Sequence, residues 1–437
     1  MPLLPLDLRR QRFDKAQRLK EGWLQPNLAE VEATQLTRLN SVWQDAVADV
    51  PYYRELARRR TLPNSFVSVR EFVSTVPVLT RAEILAQPEL FVREGRPPDR
   101  RAMTAGSTGN PLHFGVYKEE SEHVAPDLVL GRLANGLEAS DRVFLLWGHS
   151  HLLGTGFKGK GKHALRRVKD RVLGYRRVDA YHLDQASAQS HLRRMLDFRP
   201  KAVIGYSSAL DLLVRYNQDL APQVRELKLK FVVGTAENLP RTDSKVLIES
   251  FFGCPFVMEY GGVEFGSVAH NRPGEGYNVY WWNSLVETLE ERGTAAEDSK
   301  PIAVTALYKR YFPVIRYRNG DEIRGAQRLS EVQVVKFDEV CGRHNDAITL
   351  DDGSAIHSVG LFHCIHQEPQ VFNIQLIIES QRLRLLLVAS NSDDKVAQRI
   401  RKRLHDLNPA LASCAIEFVP DLVTNRAGKR RWVIDAR

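Results

Sequence analysis

The stretch TAGSTGNPLHF, residues 104–114, sets Thr104, Gly106, Ser107, Thr108 and Gly109 within six positions and then meets Pro111. Such a string has no apolar face to bury. Its backbone N–H groups can line a concave nest for phosphate oxygens, and its hydroxyls add donors. Glycine serves where backbone must come close to a ligand or take a positive φ. It is not a Walker loop, because that motif needs Lys after its second glycine and here Asn110 follows Gly109. Taken alone, the string equally suits a surface turn.

Three further stretches offer matching chemistry. YGGVEFG, 260–266, presents one carboxylate, Glu264, on a glycine-flanked turn after an apolar run; Mg2+ takes one or two carboxylates together with phosphate oxygens and water. PVIRYRNGDEI, 313–323, sets Asp321 after Asn319-Gly320 at a strand end, where a carboxylate suits a grip on ribose hydroxyls, although N-G-D is also simply a good turn. TNRAGKRRWVI, 424–434, places Lys429 after a glycine. In isolation Glu264 reads as a loop glutamate and Lys429 as part of a wet basic tail. FHCIH, 362–366, brings His363, Cys364 and His366 close in sequence with His357 nearby. In a strand only two of these share a face, short of the four ligands of a structural zinc site. GHSHL, 148–152, has Leu152 where a nucleophile elbow needs glycine.

The elements that must carry these residues follow from hydrophobic period. Leu28, Val31, Leu36, Leu39, Trp43 and Ala46 predict a helix over 28–50, broken and restarted at Pro51. Thr80 with Glu83 three residues on predicts a capping box. VFLLW (143–147) and AVIGY (202–206) read as buried strands, with a helix over 183–196 between them. KFVVGTAENLPRTDSKVLIESFFG (230–253) reads strand, loop, helix, and FVMEYGGVEFG (256–266) strand then glycine-rich turn. Alternation of this kind argues for an α/β layered domain with mainly parallel pairing. Further on, VFNIQLIIE and RLRLLLVAS predict a hairpin, Val396, Ile400, Leu404 and Leu407 a helical stripe, and CAIEFVP another strand. That is a small α+β module, joined near 341–348.

Composition narrows the classes. The 437 residues are 43% hydrophobic and 26% charged, ordinary for a globular chain, and no window nears the length of a membrane span. MPLLPLDLRRQRF meets charge after a short Pro-broken apolar stretch, so no secretory signal is expected. Cys254, Cys341, Cys364 and Cys414 are scattered without a C-x-x-C pair, which fits a reduced cytoplasm. Of the net charge of +9, much sits in 158–177, where nine Lys/Arg face one Asp, and a second basic cluster lies at 9–20. Such runs favour polyanions. No nucleic-acid motif frames them, so a solvated loop and helix face is the expectation and nucleic acid is not an expected partner.

In order, the Ser/Thr/Gly loop, VVGTAENLP, YGGVE, RYRNGD, GRHND and the late GK resemble the adenylate-forming superfamily. The likeness is to its phenylacetate–CoA ligase branch and, within that, to the CapK-like proteins linked to capsular polysaccharide synthesis. It extends to VPYYREL, VPVLTRAEIL and RPKAVIGYSSALDLLV, so it covers nearly the whole chain. The resemblance implies a large α/β N-terminal domain of layered sheets and helices, 1–342, and a small, hinged α+β C-terminal domain, 343–437. It implies that Thr104, Gly106, Ser107, Thr108 and Gly109 hold ATP phosphates and that Gly234, Thr235, Ala236 and Glu237 border adenine. Tyr260 and Gly261 would line the nucleotide and acyl side, Glu264 would sit on Mg2+ and Asp321 on ribose. Arg343 would approach from the domain junction, and Lys429 would bridge the attacking carboxylate and the α-phosphate. The activity implied is carboxylate plus ATP to acyl-adenylate and pyrophosphate, then acyl transfer to coenzyme A or to a carrier thiol, amine or hydroxyl.

Departures bear on that reading. The usual loop lysine is absent, since positions 110–113 read Asn-Pro-Leu-His. The common Thr before the motif glutamate is Val263, and the junction has Asn345 followed by Asp346. Losing one hydrogen bond to a charged group costs roughly 1.5–3 kcal/mol. The alternative is therefore a catalytically weakened nucleotide-binding scaffold of a biosynthetic complex. The acid, the acceptor and the oligomeric state stay open in the sequence.

Overall fold

The computed structural model describes residues 5–103, 112–147, 156–180, 182–183, 185–236, 239, 243–290, 298–341, 347–349, 355–357, 361, 365, 368, 370–379, 382–389, 393–420, 422–423 and 433–435. The chain forms two compact units. The first comprises Met1–Thr104, Leu112–Ala139 and Val257–Arg343; the second comprises Ala105–Pro111, Ser140–Phe256 and His344–Arg437.

The first unit begins with helices whose ends the sequence specifies. Asn27 accepts the Glu30 N–H at 3.2 Å and opens the helix Leu28–Asp49, and Pro51 opens Pro51–Arg60 at a position where a missing N–H costs nothing. Thr80 and Glu83 form the expected reciprocal box at the start of Arg81–Ala86. The buried stripe of Leu28–Asp49 differs from the expected one: it runs Val31, Gln35, Leu39, Val42, Trp43, Ala46, with Leu28 exposed. Gln35 takes a core position because its amide N–H donates to the Trp281 carbonyl at 2.9 Å, which offsets part of the cost of burying it.

Two sheets complete this unit. One holds Leu79–Thr80, Ser284–Thr288, Lys300–Ala306, Tyr317–Arg318, Glu322–Arg324 and Glu339–Val340. The other runs antiparallel through Gln327–Arg328, Val334–Phe337, Tyr277–Val279, Gly266–Asn271 and the strand Phe256–Gly262, which lies in this unit from Val257 on. Alternation along Phe256–Gly262 sends Glu259 and Tyr260 to opposite faces. Glu259 meets Arg132 of the helix Lys118–Ala134 at 2.9 and 3.3 Å, and the His270 ring lies 3.7 Å away. Burial pushes the Glu259 carboxyl up, but the Arg132 and His270 charges outweigh it and hold it below its ordinary value. The strand is thus pinned from behind by a buried ion pair.

A second buried pair anchors the segment that leads to Asp321. Arg316, at a positive φ of 47°, makes a bidentate contact with Glu287 at 2.8 Å and donates to the Val73 and Val76 carbonyls. The Leu79 N–H closes the same corner by donating to the Arg316 carbonyl at 2.9 Å. The preceding turn is held by Glu120, whose buried carboxylate accepts the N–H groups of Arg310 at 2.5 Å and Tyr311 at 2.9 Å, and caps its own helix through Tyr117.

A cavity of about 630 Å³ opens among Lys15, Arg18, Arg38, His123, Asp127 and Trp282. None of the site residues expected from the sequence lines it. At its wall the buried Asp127 accepts from Trp282 Nε1 at 3.1 Å and Asn283 Nδ2 at 2.8 Å. Burial pushes this carboxyl up from 3.8 to about 7, against the pull of those two donors and of Arg38 and Lys15.

In the second unit the strands Tyr175–Val178, Val143–Leu146, Ala202–Tyr206 and Phe231–Thr235 pair in that order, all parallel; the last three are the expected apolar runs, and Tyr175–Val178 comes from the basic run expected as a loop. The helices Gln185–Phe198, Ser207–Arg215 and Ser244–Phe252 connect or follow them. The expected tail module is present: Val371–Glu379 and Arg382–Ala389 form the hairpin, and Ala415–Phe418 and Val433–Asp435 add parallel edges. Val396, Ile400, Leu404 and Leu407 are the buried stripe of Asp394–Leu407. The basic run forms the helix Gly156–Val172 and the strand Tyr175–Val178. His363, Cys364 and His366, and the whole GHSHL segment, lie outside the described residues. Among the described residues no helix is long and apolar enough to cross a membrane.

Removing one partner of a buried pair leaves an uncompensated charge, at a cost of about 3–5 kcal/mol. Arg316→Met should lose that much in urea unfolding, and the double change with Glu287→Leu should recover most of it; equal losses in both would contradict the clamp. For Asp127, a folded pKa raised from 3.8 to about 7 means that the folded state holds a proton the unfolded chain has released. Stability should therefore fall as pH rises from about 4 to 7, on the order of a few kcal/mol, and level off above. Asp127→Asn should flatten that slope, measured as unfolding free energy across the same pH range.

Candidate functional site

In the first unit, two of the expected site residues, Tyr260 and Asp321, meet at the end of the strand Phe256–Gly262, with Asn319 joined to both. The Tyr260 hydroxyl donates to Asp321 Oδ2 at 2.8 Å, and Asn319 Nδ2 donates to the Tyr260 hydroxyl at 3.2 Å and also to Asp321 Oδ2. The Asp321 N–H donates back to Asn319 Oδ1 at 3.1 Å, the turn bond expected of N-G-D. All three side chains are buried. Tyr260 and Asp321 are 61 positions apart, so their contact is a product of the two sheets, not of local sequence. Asn319 is a member of the site that the sequence reading treated only as a turn residue.

One step further along the strand, Gly262 pairs with Gly266 and leaves Val263, Glu264 and Phe265 as a three-residue loop. Gly266 takes φ of 78°, the left-handed position such a loop needs at its end, and a Cβ there would meet the Tyr308 hydroxyl at 2.3 Å. Gly261 is required for a different reason: a Cβ there would meet the Gly266 carbonyl oxygen at 2.5 Å, and backbone cannot move aside. Phe265 is buried and its carbonyl accepts from Tyr308 at 3.0 Å, so the loop has a fixed base. On that base Glu264 is 5% exposed while its neighbour Val263 is 42% exposed.

The surroundings of Glu264 are cationic. Arg81 Nη1 stands 3.8 Å from Oε1, an ion pair beyond hydrogen-bonding distance. Lys309 is 3% exposed and lies within electrostatic reach of both Glu120 and Glu264. Burial pushes its ammonium down, Glu120 and Glu264 pull it back, and Arg100 adds to the depression. The sequence reading missed Arg81 and Lys309. The available signal was a lone lysine inside the apolar run ALYKRYFPVI, a residue type that is almost never fully buried unless paired. Gly262 leaves room for the loop, since a Cβ there would meet Glu264 Oε2 at 2.9 Å. A buried hard-oxygen ligand on a rigid turn fits Mg2+, which uses few protein carboxylates.

The second unit carries Gly234, Thr235 and Ala236 at the end of the strand Phe231–Thr235. A Cβ on Gly234 would meet the Phe256 ring at 2.4 Å and Ser207 Oγ at 2.7 Å. Ala236 has φ of 69°, a left-handed conformation that costs a non-glycine residue about 1–3 kcal/mol and gathers at ligand-binding turns. Thr235 pairs in register with Tyr206, whose ring stacks on Trp147 at 4.8 Å. Phe231 and Val257 are core residues. Thr104, Gly106, Ser107, Thr108, Gly109, Glu237, Arg343 and Lys429 lie outside the described residues.

No family model matches the chain. It is 22% identical over 399 residues to Protein CapK of Staphylococcus aureus, spanning 88% of this chain and 84% of that protein. Among solved structures it resembles 2-hydroxyisobutyryl-CoA ligase in complex with 2-HIB-AMP and CoA in the thioesterification state. That likeness has a TM-score of 0.61 and 19% identity over 94% of this chain and 90% of the other. The same ligase in its postadenylation state with R3-HIB-AMP gives a TM-score of 0.56 and 18% identity over 92% and 89%. The chain has the α/β fold of the 2-hydroxyisobutyryl-CoA ligase structures, and its sequence is similar to that of CapK along most of its length.

Proposed function

We propose that the chain is an ATP-dependent carboxylate ligase that forms an acyl-adenylate and pyrophosphate and then passes the acyl group to coenzyme A or to another thiol, amine or hydroxyl. The observation that carries this reading is the shared strand end: Tyr260 bonded to Asp321 on one side, and the loop bearing Glu264 immediately beyond. A ribose-gripping acid and a metal-holding acid on one rigid element suit a nucleotide lying along it. The ligands named with 2-hydroxyisobutyryl-CoA ligase, an acyl-AMP and CoA, support the same chemistry.

The difficulty of the reaction is electrostatic. A carboxylate must approach an α-phosphorus surrounded by anionic oxygens, so positioning and charge cancellation supply most of the catalysis. Asp321 would orient the ribose, with Tyr260 and Asn319 fixing its carboxylate. Glu264 would hold Mg2+, which supplies neutralisation of phosphate charge when bound. The hydroxyl and glycine loop of Thr104, Gly106, Ser107, Thr108 and Gly109 would give donors to the phosphates, and Gly234, Thr235, Ala236 and Glu237 would border the adenine. Lys429 would bring a compact cation to the attacking carboxylate, and Arg343 would approach from the hinge between 1–342 and 343–437. A hinged module permits closure for adenylation and reopening for transfer. Cys254, Cys341 and Cys414 are free thiols, which fits a cytoplasmic setting, and the CapK-like likeness suggests polysaccharide biosynthesis as its context.

A nucleotide-binding scaffold is the second reading, motivated by Val263 standing exposed where a hydroxyl is common. Acid-dependent pyrophosphate release across a panel of carboxylic acids decides between them. The ligase reading expects release with at least one acid; ATP binding with no release from any would favour the scaffold. Lys429→Ala should lower that release by roughly 10²–10³ while leaving ATP binding within a few-fold. Glu264→Gln should raise the Mg2+ concentration for half-maximal activity about tenfold; an unchanged Mg2+ dependence would remove Glu264 from that role.

A further inference from the structure

The helix Gly156–Val172 is amphipathic in the reverse sense to a helix packed on a core. Its Asp170 is buried and held by Arg177 of the strand Tyr175–Val178 through contacts of 3.0 and 3.1 Å, and Arg166 on the same side is half-buried. Two of its large aliphatic residues face outward, Leu165 at 72% and Val168 at 60% exposed, while Val172 at its end is half-buried. At about 100° per residue, Asp170 lies roughly 200° round from Val168, so the ionic side meets the protein and the apolar stripe meets solvent. Lys169 borders that stripe on one side and Arg167 and Arg171 on the other, and all three are exposed. Over 158–177 the sequence supplies nine Lys/Arg against one Asp, and that Asp is already paired.

From this arrangement we infer that the helix docks the protein on an anionic lipid surface. A cationic rim around an exposed aliphatic stripe matches a headgroup layer over acyl chains, which is how interfacial helices bind. Each cation near an anionic surface strengthens partition by about fivefold, and the aliphatic side chains add insertion that a purely ionic contact lacks. Nucleic acid accounts for the cations but leaves Leu165 and Val168 without a role.

Sedimentation of the full chain with phosphatidylcholine vesicles, with and without phosphatidylglycerol, tests this. Binding should be at least about tenfold stronger to the phosphatidylglycerol vesicles and should weaken with salt. The double change Leu165→Ser and Val168→Ser should lower vesicle binding about tenfold, with no change in thermal midpoint because both side chains are already exposed. Lys169→Gln with Arg171→Gln should weaken binding to the anionic vesicles only. Equal sedimentation of the serine variant and the wild type would overturn the inference. So would wild-type binding to duplex DNA with no preference for anionic vesicles.

Discussion

The hydrogen bond from Tyr260 to Asp321 is the joint on which the candidate site depends. It ties the end of one antiparallel strand to a turn in the other sheet of the same unit, and it works only because both sides are held from behind. Behind Tyr260, alternation along the strand places Glu259 against Arg132. Behind Asp321, Arg316 is locked to Glu287 and to two backbone carbonyls. Each buried pair is costly to desolvate and adds little net stability, but each allows one geometry only. That is the property a nucleotide site needs, since a preorganised donor or acceptor loses nothing to rearrangement during the reaction.

The glycines around Glu264 serve the same end by a different route. Gly261 and Gly266 let two strands and the Tyr308 hydroxyl close to distances that a side chain would forbid. The loop that results is short, and with Phe265 buried beneath it the carboxylate has little freedom. Arg81 and Lys309 then set the local field, so that Glu264 sits within a positive frame before any substrate arrives.

Much of this was legible in the sequence, for identifiable reasons. Period gave the helix over 28–50 and a local cap gave the one after Thr80 with Glu83, because those signals act over three or four residues. Unbroken apolar runs gave three of the four parallel strands, and the motif order gave a resemblance whose expected fold the structure has. What escaped were contacts between distant segments. Tyr260 with Asp321, Arg316 with Glu287 and the burial of Lys309 depend on how two sheets register, which no local pattern encodes. Gln35 escaped because a polar residue reads as exposed until its backbone acceptor is seen. The helix Gly156–Val172 escaped because a run of nine Lys/Arg reads as a solvated loop.

The central claim is that the acid's own oxygen attacks the α-phosphorus of ATP beside this strand end. The most direct measurement follows a heavy-oxygen label from the substrate carboxylate through one full turnover, with the phosphorus-containing products analysed by mass spectrometry. The account predicts that one labelled oxygen appears in AMP, with pyrophosphate unlabelled. Label in orthophosphate, accompanied by ADP, would contradict it.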